Sequence, residues 1–242
     1  MKLPIIDKPV YLIKLPSFKD PVRITAYTMK ESKILMLAKE SENQEEILNA
    51  IKQVIQNCVV DDINVDEIPM YDLEVLYLNI QAKSVGENTD LYFECKNQVD
   101  GNNCGMVIEC SVNLEEVAAV DPFPDTRIMF NETVGVTLKH PSISSIKKLL
   151  KAPLYNPNTP EPIMMAVYSL NQIFDKDSVY DAKDAQVSEL IEFIESLSEP
   201  NFEKIEKFIE NTPSVSKVIE TDCPRCKYHH KILLEGLQDF FV

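Results

Sequence analysis

Glycine, histidine, tryptophan and positive charge are all scarce in this chain. Tryptophan is absent, and 242 residues include five glycines and three histidines. With so few glycines no phosphate-cradling loop can be placed, and neither Gly-X-Ser-X-Gly nor His-Glu-X-X-His occurs. His140, His229 and His230 leave little imidazole for acid–base work. Acidic residues are plentiful, but no spacing pairs two of them into a site. The chain reads as a non-enzyme with no small-molecule substrate. Long apolar runs are missing too. None approaches the roughly 18–20 residues of a membrane span, and Met1-Lys-Leu-Pro4 opens no signal-peptide core. The expectation is a chain made in the cytoplasm, away from membranes. Lysine and arginine number 24 against 39 acidic residues, a formal charge of -15. Nucleic acid and anionic lipid are bound through excess Lys and Arg, so the balance argues against both and favours a basic protein partner.

What is present supports a real core: 45% of the residues are hydrophobic, enough for one large domain or two small ones. Val10-Tyr-Leu-Ile13 and Val22-Arg-Ile-Thr-Ala-Tyr27 predict two strands around a Pro-bounded turn. Thr28-Met-Lys-Glu31 is a capping-box signature that opens a helix, and Ser41-Glu-Asn-Gln44 repeats the signal. Ile47, Ile51, Val54, Ile55 and Cys58 follow at helical spacing, so Cys58 is expected to be buried and inert. The acidic run Asp61 to Glu67 lacks the glycine and register of a calcium loop. A third helix, over about 70–84, places Leu73, Leu76, Tyr77 and Ile80 on one side. Asp121-Pro-Phe-Pro-Asp125 breaks the chain, and Arg127–Phe130 with Thr133–Leu138 predicts a hairpin. A helix from Thr159 is expected to carry Ile163, Ala166, Val167, Leu170, Ile173 and Phe174. Two more carry Val187, Leu190, Ile191, Ile194 and Leu197, then Phe202, Ile205, Phe208 and Ile209. The fold class is therefore α+β, helical groups with β-hairpins. Two lobes are expected: an N-terminal α+β lobe over 1–120 with the first cysteine hairpin, and a mainly helical lobe over 121–242 ending in the second.

Six cysteines in a chain made in a reducing compartment point to metal or inert burial rather than disulfides. Cys95 and Cys104 lie between Leu91–Cys95 and Gly105–Val112. Cys223-Pro-Arg-Cys226 lies between Val215–Thr221 and Tyr228–Leu234. Each pair is expected at the tip of a β-hairpin. Four thiolates form the usual donor set of a tetrahedral, closed-shell structural zinc. The two hairpins are thus predicted to pair into a zinc-ribbon-like element, with Zn2+ on Cys95, Cys104, Cys223 and Cys226. The first pair spans a longer loop than an ordinary knuckle. A redox Cys-X-X-Cys is the rival, but it normally opens a helix, and here a strand follows. Cys110 alternates with Met106, Ile108 and Val112 on one strand face, hence core. His229 or His230 offers an alternative ligand, but four cysteines suffice, and the two histidines read rather as a strand residue and its exposed neighbour. At the end of the chain, Leu237, Phe240 and Phe241 are the candidate partner contacts, because adjacent phenylalanines on an extended tail point to opposite sides, one to the core and one to a partner; a tail folded wholly onto its own core is the alternative.

Several segments together resemble the T-even-type baseplate hub proteins of contractile-tailed bacteriophages. They are Leu15-Pro-Ser-Phe-Lys-Asp-Pro-Val-Arg-Ile24, Thr28-Met-Lys-Glu-Ser-Lys-Ile-Leu35, Ala50-Ile-Lys-Gln-Val-Ile-Gln-Asn-Cys58 and Tyr71-Asp-Leu-Glu-Val-Leu-Tyr-Leu78. Ala82-Lys-Ser-Val-Gly-Glu87 with the Cys95/Cys104 loop, and Cys223-Pro-Arg-Cys226 with Leu234-Glu-Gly-Leu-Gln-Asp-Phe-Phe241, continue the match in order. About 121–200 contributes little to it. The resemblance implies a non-enzymatic protein of the virion's tail baseplate, with hub, spike and tape-measure proteins as neighbours. It fits a structural hub subunit, or an assembly chaperone absent from the mature particle. A zinc-ribbon regulator or thiol enzyme of host type is the competing class.

Overall fold

The computed structural model describes residues 6–41, 43–99, 101–117, 126–155 and 158–240. The chain forms two compact units. The first comprises Met1–Val65, Tyr71–Val120 and Ser214–Val242; the second comprises Asp66–Met70 and Asp121–Pro213. The last segment, with the second cysteine pair, thus groups with the first unit. The Pro-rich break at 121–125 lies outside the described residues.

In the first unit, β1 (Val10–Ile13) and β2 (Val22–Thr25) form an antiparallel hairpin. Arg23 holds it to the following segment: its N–H and its guanidinium both reach Asp61, at 2.6 and 2.7 Å. The capping box opens α1 (Met29–Ser41), with the Glu31 carboxylate accepting from the Thr28 N–H at 2.9 Å. Asn43 caps α2 (Gln44–Cys58), its Oδ1 accepting from the Glu45 N–H at 2.9 Å. This helix buries Ile51, Val54, Ile55 and Cys58, as their spacing predicts.

α3 (Met70–Val85) departs from expectation. It is not a one-sided helix, since every residue from Tyr71 to Leu78 is buried. An α-helix buried all round needs partners for any polar side chain it carries. Asp72, fully buried, accepts from the Ser17 N–H at 3.3 Å and from the Ser17 hydroxyl. The helix is followed by β3 (Asn88–Glu94), the short β4 (Gln98–Val99) and β5 (Asn102–Asn103), β6 (Val107–Asn113) and α4 (Leu114–Val117). β3 pairs with β6 and β4 with β5, both antiparallel.

The second unit is built on an antiparallel sheet of β7 (Arg127–Met129), β8 (Gly135–Leu138), β9 (Leu170–Phe174) and β10 (Val179–Asp181), in the order β10-β9-β8-β7. α5 (Ile143–Tyr155) and α6 (Glu161–Ser169) connect β8 to β9, and α7 (Val187–Glu195) and α8 (Glu199–Glu210) follow β10. Leu170, Ile173 and Phe174, expected on the helix before them, form the strand β9 instead. Leu170 takes an extended backbone (φ -63°, ψ 130°) and ends the helix there. Gly135 cannot be replaced without displacement, because a Cβ there would lie 2.5 Å from the Ile128 carbonyl oxygen and 2.6 Å from the Phe174 ring. Val136, Leu138, Met164, Val167, Ile194 and Phe208 form the centre of this unit's core.

The chain then completes the first unit with β11 (Ser216–Asp222), β12 (His229–Glu235) and the short α9 (Gly236–Phe240). β11 and β12 pair antiparallel from Ser216↔Glu235 to Asp222↔His229. The base of this hairpin is hooked to α3. The buried Glu74 carboxylate accepts from the Val215 N–H at 3.0 Å and from the Leu237 N–H. Burial pushes Glu74 up to about 7, against the pull of these two donors, and nearby Glu235 adds to the rise.

Candidate metal centre

Both predicted hairpins form, and their tips meet. Cys95 follows the last residue of β3, and Cys104 lies between β5 and β6; Cys223 and Cys226 fill the turn between β11 and β12. The two tips share one hydrogen-bond pattern. The first cysteine's N–H donates to the carbonyl two residues past the second cysteine: Cys95 to Met106 at 2.8 Å, and Cys223 to Tyr228 at 2.9 Å. The residue just after the second cysteine donates back to the first cysteine's carbonyl: Gly105 to Cys95 at 3.0 Å, and Lys227 to Cys223 at 2.9 Å. Both of those residues are left-handed, Gly105 at φ 61° and Lys227 at φ 59°. For lysine that conformation costs about 1–2 kcal/mol, which the turn's hydrogen bond helps offset.

The extra residues of the first loop do not disturb this pattern. They form the β4–β5 hairpin, set inside the knuckle and closed by the Cys104 N–H donating to the Asn97 carbonyl at 2.8 Å. Cys95 and Cys104 are thereby held as a two-residue spacer would hold them.

All four sulfurs lie within 4.8 Å of one another. Across the two tips, Cys95 Sγ is 3.7 Å from Cys226 Sγ, and Cys104 Sγ is 3.8 Å from Cys223 Sγ. These are free thiols. Cys95, Cys104 and Cys223 are buried and Cys226 is half-buried. Phe93, Met106 and Ile219 pack around them beside Ile108 and Cys110. Among the described residues, no other set of three or more Cys, His, Asp or Glu side chains converges in this way.

Donors surround the sulfurs. The backbone N–H of Tyr228 holds Cys226 down, to about 6, with Asn97 and the neighbouring cysteines adding to the effect. Burial instead pushes Cys95 up to about 12 and raises Cys104, although each sulfur accepts a backbone N–H, from Asn97 and Met106 respectively. Four thiols this close share protons among themselves; together they could hold a metal ion that takes the place of those protons.

Three side chains that the spacing did not single out as cross-links join one tip to the other. Asn97 Nδ2 donates to Cys226 Sγ at 3.6 Å, and Arg225 Nη1 donates to the Cys104 carbonyl at 2.7 Å. His230, expected as a strand residue or a spare ligand, brings Nε2 to 3.2 Å from Cys95 Sγ, its ring edge-on to Tyr228. His229 turns away and pairs with Asp222 at 2.8 Å. A histidine four past a cysteine on a returning strand carries a weak sequence signal for such a role. A lone Asn or Arg within a loop carries none.

The remaining candidates fall elsewhere. Cys58 is buried and pushed up to about 11 by burial, while Cys110 faces the apolar side of β6. Asp61 is engaged by Arg23. Leu237 and Phe240, expected at a partner surface, lie inside the protein, 7% and 0% exposed. The cause is local: the tail is not extended but turns into α9, which sets these two residues one helical turn apart on the same face. Phe241 lies outside the described residues.

A sequence profile of the family described as T4 bacteriophage base plate protein matches residues 8–242. Among curated proteins, the chain is 22% identical over 221 residues to the baseplate hub assembly protein gp26 of Enterobacteria phage T4, an alignment covering 91% of this chain and 92% of that protein. No solved structure matches. No helix among the described residues is long and apolar enough to cross a membrane.

Proposed function

The chain belongs to the family of T4 bacteriophage base plate proteins, and from that membership we propose that it is a structural subunit of the central hub of a contractile tail's baseplate. It acts through contacts with other hub, spike and tape-measure proteins during tail assembly, and performs no catalysis. The observation that carries this reading is the family match across nearly the whole chain. A convergent cysteine cluster whose chemistry is that of a scaffold adds to it. Tetrahedral zinc with Zn–S bonds of about 2.3 Å requires sulfurs about 3.8 Å apart. The two cross-tip separations, 3.7 and 3.8 Å, have that size before any ion is considered. Cys95, Cys104, Cys223 and Cys226 are then the ligands of one structural Zn2+. With four thiolates bound, no position is left for a reacting water.

A second reading has its own support. The relative from phage T4 carries "assembly" in its name, which favours a factor that builds the hub and leaves. Mass spectrometry of purified particles separates the two. Peptides of this chain at the level of other hub proteins are expected for a subunit, and their absence from particles would mean an assembly factor. The metal is tested on the purified chain. About one equivalent of zinc is expected, and Cys223→Ser should lose it. A metal-free wild-type protein would remove the zinc from this reading and leave the family assignment standing.

A further inference from the structure

We infer that the second unit carries a docking groove for an acidic peptide segment of a partner protein, between the outer strand β7 and helix α8. β7 is the end strand of the four-stranded sheet. The Phe130 N–H and the Thr126 carbonyl face β8, so by strand alternation the Met129 carbonyl points outward. Lys204 on α8 reaches that carbonyl, its Nζ donating at 2.9 Å, and also donates to Asn201 Oδ1 at 2.9 Å. An open groove of about 400 Å³ lies there, edged by Arg127, Lys204 and Lys207 and lined by Ile128, Met129 and Phe208.

Three cations around one groove run against a chain whose formal charge is -15. Most of the surface repels an acidic partner, whereas the lining of this groove carries three cations and no carboxylate, with Glu203 and Glu210 standing beside Lys207. The cations are also prepared for a carboxylate. The two acceptors of Lys204 fix its ammonium in place, so little freedom is lost on binding. Arg127 is steadied over the Phe174 ring, 4.5 Å from its centroid. Lys207 pairs with Glu203 at 2.8 Å, but the two side chains are 65% and 58% exposed. Water screens such a pair, and a better-placed carboxylate can exchange with it.

The apolar lining selects among anions. Free phosphate or a nucleic-acid backbone gains nothing from Ile128, Met129 and Phe208. A peptide with carboxylate and aliphatic side chains uses both parts of the groove. The net charge further disfavours nucleic acid. The inference is independent of the metal, which concerns the other unit.

The test is a titration of the isotope-labelled full chain, followed by amide chemical shifts. The probe is a capped, amidated hexapeptide of alternating glutamate and leucine. Its controls are the glutamine-for-glutamate peptide, the acidic peptide with a free terminal carboxylate, inorganic phosphate and a single-stranded oligonucleotide. Saturable shifts at 127–130 and 204–211 are expected with the acidic peptide at millimolar concentration or below. They should weaken with salt and roughly tenfold in Lys207→Glu. Lys204→Met keeps the stem, removes the fixed ammonium and should also weaken binding; melting curves check that both variants fold. A free terminal carboxylate that binds tighter would name the chain end as the preferred form of the same ligand. The inference is overturned if the glutamine peptide shifts these residues equally, if phosphate or the oligonucleotide binds there as well as the peptide, or if millimolar acidic peptide moves nothing. Concentration-dependent broadening at these residues without peptide would assign the groove to a second copy of this chain, and would overturn it too.

Discussion

Glu74 is the residue whose environment makes the clearest demand on pH. Its carboxyl titrates near 7 in the folded chain, against 4.5 when exposed, because burial outweighs the donors from Val215 and Leu237. A carboxyl raised on folding favours the folded state below its unfolded value, and that contribution fades as pH climbs through the folded one. The window is therefore about pH 4.5 to 7, and the difference across it is on the order of 3 kcal/mol. Stability is predicted to fall as pH rises from about 5 to about 8. Glu74→Gln, which keeps an acceptor and loses the charge, should flatten that slope. Melting temperatures of both proteins at the two pH values decide it; identical slopes would mean that Glu74 is not the group responsible. At this scale the sequence was informative about identity but silent about pairing. Cys58 and Cys110 were legible as core from periodicity alone. That Asp72 and Glu74 sit in the middle of a fully buried helix was not, since their donors, Ser17 and Val215, are 55 and 141 residues away.

Among elements, the cysteine tips were the most legible, because a short apolar run on either side of a cysteine pair has few alternatives to a hairpin. The β4–β5 insertion explains why the longer first loop still works: its mouth is closed by the Cys104 N–H on the Asn97 carbonyl. Excising residues 98–103, so that Asn97 is joined to Cys104, should therefore preserve metal binding. Affinity measured against a competing chelator is expected to stay within about tenfold of the full loop; complete loss of metal would show that the insertion itself shapes the site. Strand β9 was illegible for a physical reason. Ile163 to Phe174 keeps a helical spacing of apolar residues throughout, and pairing with β8 overrides it from Leu170 onward. For the tail, the sequence leaves a partner surface and the chain's own core both open, and Leu237 and Phe240 take the core. Two adjacent phenylalanines suggested an extended end, but Gly236 at φ 70° turns the chain into a helix, and the Asp239 carboxylate accepts the Glu235 N–H at 2.8 Å to start it.

For the whole molecule, the grouping of the chain into two units has a thermodynamic consequence. The four sulfurs all belong to the first unit, and the sheet with its helices to the second. Structural zinc supplies on the order of 10–16 kcal/mol apparent, comparable with the roughly 5–15 kcal/mol that stabilises an entire domain. Calorimetry is predicted to resolve two transitions, with a chelator lowering one and leaving the other in place. A single transition that moves as a whole on chelation would show that the units unfold together.

The separation of the cysteine pairs also sets an order of events during synthesis. Cys104 and Cys223 are 119 residues apart. At about 5–20 residues per second, roughly 6–24 seconds pass between their emergence from the ribosome. The second unit's sheet and helices are made in full within that interval, while Cys95 and Cys104 wait for the other two thiols of the cluster. The first unit is begun first and finished last, and the arrival of Cys226 is the moment at which it can close.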